Sequence, residues 1–386
     1  MPKKMILLTF FISILASLAL CSFRPLEIKT KEEIRLGVWI TVFSPEKVLS
    51  SKENVDRLIS TCKTCGIDDV YIQLYRSGKS YYNPETSEAD TLRYLIETAK
   101  ENNIKVHAWI NLLSIAQNKD ADILKKFGDA VLTLDQHGRT SMQKGQKDEL
   151  DKYYIRENQL FLEPGDSRVQ DYLTGVATEI IKKYPGLSGL HLDYIRYPAV
   201  VPFVPGSRFT SHGISYGYTE LNINNFKNAT GIDIKDAEYS RENYKLWDDW
   251  RRGQVTSLLQ KISESARALS PDIIISCTIV PSVERTYLTT LQDWTEWLDK
   301  DYVDYVVAMN YTDDTKLMKL FSYSLSAEEF GEKVHMGVGA YLLKTNPKEL
   351  KEQLEFLKEF SPPGIVVFSY DDIAENEDLR KTLAGI

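Results

Sequence analysis

The 386-residue chain has little cysteine, no block of basic residues and no motif for holding phosphate. Its four cysteines, which include a CxxC pair at Cys62 and Cys65, give neither a disulfide framework nor the spacing of a four-ligand zinc site. With a formal net charge of -8 and no Lys/Arg cluster, nucleic acid is not an expected partner. A Gly-rich loop opening a helix and a GxSxG nucleophile elbow are both missing, so no nucleotide cofactor and no serine-hydrolase chemistry are expected.

The N-terminus carries a secretory pattern. Residues 1–21, MPKKMILLTFFISILASLALC, begin with two lysines and continue with an apolar stretch that is too short and wrongly flanked for a transmembrane helix. The residues before Cys21 resemble a bacterial lipobox, although Leu20 departs from the usual small residue. Two alternatives stay open, a lipid anchor on Cys21 that attaches the protein to a membrane, or cleavage near Ala19. Both predict an extracytoplasmic protein that is secreted, periplasmic or anchored at the cell envelope.

Eight short β-branched runs alternate with amphipathic stretches whose apolar residues recur every three or four positions. The runs cover residues 36–42, 69–75, 105–111, 189–194, 273–279, 305–311, 334–341 and 364–370. Strands that alternate with helices pair in parallel through crossovers, and eight such units predict closure into a (β/α)8 TIM barrel. We expect one α/β domain over residues 33–386.

Two segments interrupt this repeat and are interpreted as long loop insertions. Residues 134–166 indicate turns and a hairpin, and residues 198–240 are rich in Gly, Pro, Ser, Asn and aromatics. The second insertion follows the fourth strand, and the loops that leave strand C-termini build the active face of such barrels. The insertions are therefore expected at the strand C-terminal face.

The fourth run ends in the sequence GLHLDYIRYP, residues 189–198, which places Asp193 at the mouth of the predicted barrel. Because strand residues alternate faces, Asp193 and His191 should both point into the barrel, while Leu190 and Leu192 pack outward. A carboxylate in this place is suited to attack a substrate carbon or to orient a reacting group. The alternative is a structural ion pair with Arg196.

The other strand ends combine aromatic rings with amides, guanidinium groups and carboxylates. Such a set suits a sugar, whose apolar face stacks on a ring while its hydroxyls bind polar groups. The candidate substrate-binding residues are Trp39, Gln73, Arg76, Trp109, Asn111, His191, Arg196, Tyr197, Asn310, Tyr311 and Tyr370. An oligosaccharide or polysaccharide is the expected partner.

A glycosidase needs a second carboxyl group, about 5–10 Å from the first. The candidates after Asp193 are Glu284 behind the fifth strand, Asp313 behind the sixth and Asp371 behind the eighth. Asp371 is nearest to its strand end, but the sequence does not choose among the three. The neighbouring Asp314 and Asp372 are expected to face solvent or to cap the next helix.

A metal-dependent hydrolase or deacetylase is a rival interpretation, because His107, His191 and Asp193 are able to line one layer of the barrel as a His/His/Asp set. Interior histidines that bond to their neighbours explain the same residues more simply, so no metal site is assigned.

The chain resembles the bacterial glycosyl-hydrolase-like 10 family of secreted or lipoprotein barrels. Matching motifs run in family order from about residue 35 to the C-terminus, and GLHLDYIRYP is the most specific of them. The others are GVWITV, YIQLYRSGKSYYNP, VHAWIN, FLEPGDSRVQDYL, WDDWRRGQVT, DYVVAMNYTDD and GIVVFSYDD. The resemblance implies hydrolysis of O-glycosyl bonds in a carbohydrate, including a bacterial cell-wall glycan, with a catalytic Asp at the position of Asp193. A non-catalytic carbohydrate-binding barrel is the remaining alternative.

Overall fold

A computed structural model of the protein describes residues 34–82, 90–143, 154–202, 214–236 and 240–386, so the signal segment predicted at residues 1–21 lies outside the described residues. Eight parallel strands form the core. We number them β1 to β8, and they span Arg35–Ile40, Asp69–Arg76, Lys105–Asn111, Gly189–Asp193, Ile274–Ile279, Tyr305–Met309, Val334–Gly339 and Gly364–Phe368. Each strand pairs with its neighbour in the chain, and β1 pairs with both β2 and β8. The sheet is closed, which confirms the predicted (β/α)8 barrel.

Alternation along the strands separates two environments. On β4, Leu190 and Leu192 belong to the large apolar core between strands and helices, whereas the His191 ring contacts aromatic rings inside the barrel. The interior apolar cluster is smaller and mostly aromatic, with Trp39 and Tyr71 among its members. The strand ends therefore carry polar and aromatic side chains into one shared mouth.

Helices surround the barrel, and we number them α1 to α12. They span Lys52–Cys65, Thr91–Glu101, Asp122–Phe127, Ser167–Lys183, Glu220–Thr230, Arg241–Leu269, Val283–Leu288, Trp294–Asp299, Thr315–Ser326, Pro347–Phe360, Tyr370–Glu375 and Glu377–Leu383. Local sequence sets both ends of helix α1. Ser51 caps its N-terminus, and Gly66 ends it in the left-handed conformation. Cys62 and Cys65 lie one turn apart on its buried face as free thiols. Within the described residues, no helix combines the length and apolarity needed to cross a bilayer.

The two insertions differ in part from their prediction. Helix α5 lies in the segment interpreted as a loop, so that interpretation is wrong for Glu220–Thr230. Its apolar residues Ile223 and Phe226 pack with Trp247 of α6, a tertiary contact that local composition does not reveal. Short strands do occur in the first insertion, but they pair with residues outside it, Leu160–Phe161 with Ser114–Ala116 and Tyr154–Arg156 with Val200–Pro202, rather than as a hairpin.

Candidate active site at the barrel mouth

Asp193 ends strand β4 and receives hydrogen bonds from both neighbouring strands. Trp109 of β3 donates its indole N–H to Oδ2 at 3.1 Å, and Thr278 of β5 donates its hydroxyl to Oδ1 at 2.6 Å. The backbone N–H of Tyr194 donates to the same Oδ1 at 2.8 Å. Three donors thus fix a buried carboxyl group and leave Oδ2 with capacity for another partner.

Burial raises the pKa of Asp193 above its ordinary value of 3.8, while the bonds from Thr278, Tyr194 and Trp109 favour the ionised form and limit the rise. No basic side chain in the described residues forms a salt bridge with it. The ion pair with Arg196 considered from the sequence does not form, because the guanidinium of Arg196 instead binds Glu157 through two bonds of 2.7 and 2.9 Å. Asp193 is accordingly available for chemistry.

The residue after Asp193 has an unusual backbone. Tyr194 adopts a left-handed conformation with φ of 53°, which costs a non-glycine residue about 1–2 kcal/mol. This turn directs its N–H toward Asp193. The Arg196 guanidinium lies 4.9 Å from the centroid of the Tyr194 ring. Because Glu157 holds Arg196 in place, the Arg196–Glu157 pair stabilises the turn at Tyr194.

The three candidates for a second carboxyl group occupy different environments. Glu284 and Asp313 are both exposed, the first in the opening turn of α7 and the second in the loop after β6. Asp371 is half-buried in the first turn of α11, where Ser44 donates a hydrogen bond to it, and burial raises its pKa. Since β4 and β8 are four strands apart in a closed barrel of eight, Asp371 follows the strand opposite Asp193.

The neighbouring carboxylates cap helices, as predicted. Asp314 accepts hydrogen bonds from Lys316 N and Leu317 N at the start of α9. Asp372 and Ser369 form a capping box at the start of α11. Both groups are committed to local structure.

The histidines of the rival metal interpretation have other partners. His191 accepts a hydrogen bond from Trp39 Nε1 at Nε2, 3.1 Å away, and its Nδ1 lies 2.8 Å from the hydroxyl of Ser276. Burial lowers the pKa of His191, which is consistent with a neutral ring that donates from Nδ1. His107 instead lies 2.9 Å from Asp69. Within the described ranges, no group of three His, Cys, Asp or Glu side chains is placed to hold a metal ion.

The sequence-predicted residues around β2 and β3 come together beside Asp193. Gln73 donates to the side chain of Asn111 at 3.1 Å, and Asn111 pairs in register with Asp193. Arg76 and Asn111 line an open groove next to these strand ends. This part of the candidate binding site is therefore contiguous.

Aromatic rings form the other part of the mouth. Trp39 contacts Tyr311 edge-on and also Phe368, with ring centroids 6.2 Å apart in both cases. Tyr341 is 43% exposed and packs edge-on against Tyr311 and Phe368. Trp39 and Trp109 are themselves buried, so Tyr311 and Tyr341 offer more accessible surface to a ligand.

Three predicted binding residues point away from the mouth. Asn310 donates to Ser322 of α9 and contacts the sulfur of Met336, because it continues the outward face of β6. Tyr370 is buried at the start of α11 and belongs to the large apolar core between strands and helices. Tyr197 is buried and donates its hydroxyl to Glu163 at 2.5 Å. These three assignments to substrate binding are corrected to structural roles.

Sequence reasoning missed several residues of the site, which are Glu157, Tyr194, Thr278, Tyr341 and Phe368. Thr278 had a usable signal, since it alternates with outward-facing Cys277 and Ile279 on β5 and must point inward. Glu157 had none, because its contact with Arg196 joins segments that are 39 positions apart in the sequence.

Comparison with known proteins identifies the family profile described as Glycosyl hydrolase-like 10, which matches residues 33–353. Glycosyl hydrolase YngK of Bacillus subtilis strain 168 is 21% identical and aligns with 90% of this chain and 70% of its own length. Glycosyl hydrolase DigH of Escherichia coli strain K12 is 24% identical over 189 residues, 48% of this chain. The chain spans about a third of the length of DigH, since the match covers 34% of that protein.

Solved structures show the same fold at low identity. The catalytic domain of β-amylase from Paenibacillus polymyxa superposes with a TM-score of 0.57 at 13% identity and covers 91% of this chain and 97% of that chain. The endo-1,4-β-mannanase of Rhizomucor miehei superposes with a TM-score of 0.52 at 12% identity, covering 91% and 93%. These likenesses show the TIM-barrel fold alone.

Proposed function

The chain belongs to the glycosyl hydrolase-like 10 family, and on that premise we propose that it hydrolyses glycosidic bonds of an oligosaccharide or polysaccharide, such as a cell-wall glycan. Asp193 is the central catalytic carboxylate. The observation that carries the proposal is the placement of Asp193, a buried carboxyl group with three donors and no salt bridge to a described basic side chain, at a strand end of a glycosidase-type barrel.

The donors around Asp193 define its role in the reaction. Hydrogen bonds from Trp109, Thr278 and the Tyr194 backbone stabilise a negative charge, so the group acts in its ionised form. A carboxylate held at the mouth stabilises the positive charge that develops at the anomeric carbon, or attacks that carbon directly. The aromatic rings of Tyr311 and Tyr341 provide apolar surface for the sugar ring.

Asp371 is the proposed partner that exchanges a proton with the leaving oxygen or with water. Its raised pKa suits a general acid, and it follows β8, the strand across the barrel from Asp193. Glu284 and Asp313 are set aside because both are exposed to solvent, whereas Asp371 is half-buried.

Hydrolysis should show a pH profile set by these two groups. An unperturbed Asp would place the acid limb of kcat/KM at about pH 4. Because the pKa of Asp193 is raised, the acid limb should lie at higher pH. Activity rises with pH as Asp193 ionises, and the alkaline limb reports loss of the Asp371 proton. The measurement is product release from a panel of neutral and cell-wall oligosaccharides across pH.

Two outcomes decide the assignment. Asp371→Asn should remove the alkaline limb along with most of the rate, whereas Glu284→Gln should leave the profile unchanged. A wild-type rate that stays constant down to pH 4 would contradict an ionising Asp193, and binding without any cleavage on the panel would favour a carbohydrate-binding barrel.

We also propose that the mature protein works outside the cytoplasm. The charged start, apolar stretch and Cys21 of residues 1–21 support export, with lipidation of Cys21 as one route to membrane attachment. Mass spectrometry of the native protein should find a new N-terminus near Ala19, or a lipid mass on Cys21 that Cys21→Ala abolishes. An intact Met1 on exported protein would contradict the proposal.

A further inference from the structure

A groove of about 440 Å³ opens beside Asp193. Asn111, which pairs in register with Asp193, lies in its lining, and so does Tyr194, the next residue in the chain. Three of the other lining residues carry amide side chains, Gln117, Asn158 and Gln159, and come from the loops after β3 and before α4. A ligand whose bond is cleaved at Asp193 would extend into this groove.

Arg76 is the one lining residue that carries a full charge at neutral pH. Its guanidinium lies over the ring of Phe43 at 4.9 Å from the centroid, and its Nη1 donates to Gln73 at a long 3.4 Å. Among the described residues no carboxylate comes within salt-bridge distance of it. Arg196, three residues beyond Asp193, is in contrast neutralised by the bidentate contact with Glu157.

Phe43 and Gln73 contact the guanidinium of Arg76, but neither carries a negative charge that would balance it. A guanidinium has five N–H donors in a planar fork, and among the described residues its one hydrogen bond is the long one to Gln73. Phe43 is 63% exposed and packs edge-on against Tyr81, so one ring supports the cation and still offers apolar surface to a sugar.

We propose that this groove is a subsite for a sugar ring that carries a carboxylate, and that Arg76 binds the carboxylate. The amides of Asn111, Gln117 and Gln159 would bind ring hydroxyls, and the guanidinium fork matches the two oxygens of a carboxylate. The inference rests on the proposed glycoside hydrolase function and adds the class of substrate, an acidic glycan.

The test compares binding of matched neutral and acidic glycans by calorimetry, in the Asp193→Asn form of the full chain so that no probe is cleaved. The probes are neutral chito-oligosaccharides, the same oligosaccharides with uronic acid carboxylates, and the same oligosaccharides with carboxylates on lactyl ethers. Each acidic probe has a control in which its carboxyl group is reduced to an alcohol. The two acidic probes distinguish the two positions from which a ring is able to present the charge.

Arg76→Gln should weaken binding of the preferred acidic probe about tenfold and leave the neutral and reduced probes within about twofold. Arg76→Lys should retain part of the affinity, because it keeps the charge but not the fork. Lys182→Gln removes the same charge from an exposed position in the last turn of α4, at the opposite end of the barrel, and should change nothing.

The possible outcomes distinguish a failure of this inference from a failure of the proposed glycoside hydrolase function. If the Asp193→Asn protein with Arg76 intact binds the neutral probe at least as tightly as both acidic probes, the inference of an acidic subsite is wrong. The proposal of a neutral glycan substrate would then stand. Equal losses for acidic and neutral probes in Arg76→Gln would mark Arg76 as structural and overturn the inference. Binding of no glycan at all would overturn both the inference and the proposed function.

Discussion

Asp193→Asn is expected to lower the rate of glycan hydrolysis by at least about a thousandfold while the barrel stays folded and still binds its substrate. Asn has nearly the shape of Asp but no negative charge, so it neither attacks the anomeric carbon nor stabilises the charge that develops there. The contacts proposed between the substrate and Arg76, Asn111 and Tyr341 should not change. The loss should therefore fall on the chemical step and appear in kcat.

The substitution has a small structural cost that must be measured separately. Asn has a single acceptor oxygen, and if this oxygen keeps Thr278 and the Tyr194 N–H, the new amide group faces the indole N–H of Trp109. Two donors in contact cost about 1–2 kcal/mol of unfolding free energy. A denaturant titration, a binding isotherm and a hydrolysis rate on the same preparations separate these effects.

The matched control is Asp313→Asn, the same change at an exposed carboxylate in the loop after β6. It should leave stability and rate close to those of the wild type. If Asp193→Asn melts early yet turns over at the wild-type rate, Asp193 is a structural group and the assigned mechanism is wrong.

The eight strands were predictable because their signal is local. Each is a short run of β-branched and apolar residues bounded by turn signals, and the closed order follows from strands alternating with helices. Helix α5 was missed because its stability comes from packing of Ile223 and Phe226 on Trp247, residues that are distant in sequence. Its asparagines, taken alone, favour a loop.

The candidate site was predictable only where strand alternation applied. Side chains alternate between the two faces of a strand, and this alternation places Asp193 inward on β4. On β6, where Tyr305 and Val307 face the interior, the same alternation places Asn310 outward. Tyr370 escaped the rule in another way, because it begins helix α11 rather than ending β8. The contact of Glu157 with Arg196 joins residues 39 positions apart across an insertion, and no local pattern encodes it.

Glu157→Gln is the substitution expected to destabilise the protein most through charge. Arg196 is buried, and without a carboxylate its guanidinium is left poorly compensated, which costs about 3 kcal/mol. The Tyr194 turn that rests on Arg196 should loosen as well, so kcat should fall in the protein that remains folded. Glu377→Gln breaks an exposed ion pair with Lys381 that has the same 2.7 Å separation, and should give no measurable change.

The pH dependence of this loss identifies its origin. Burial alone would raise the pKa of Glu157, but the charge and hydrogen bonds of Arg196 outweigh it and hold the pKa below its ordinary value of 4.5. The pair therefore stabilises the protein fully above the unfolded pKa, and this contribution is lost as pH falls through the folded pKa. Wild type and Glu157→Gln should differ most near neutral pH and converge in acid. Adding Arg196→Met should recover part of the loss by removing the uncompensated cation, whereas a further loss in the double variant would mean that packing, not charge, is what Glu157 and Arg196 supply.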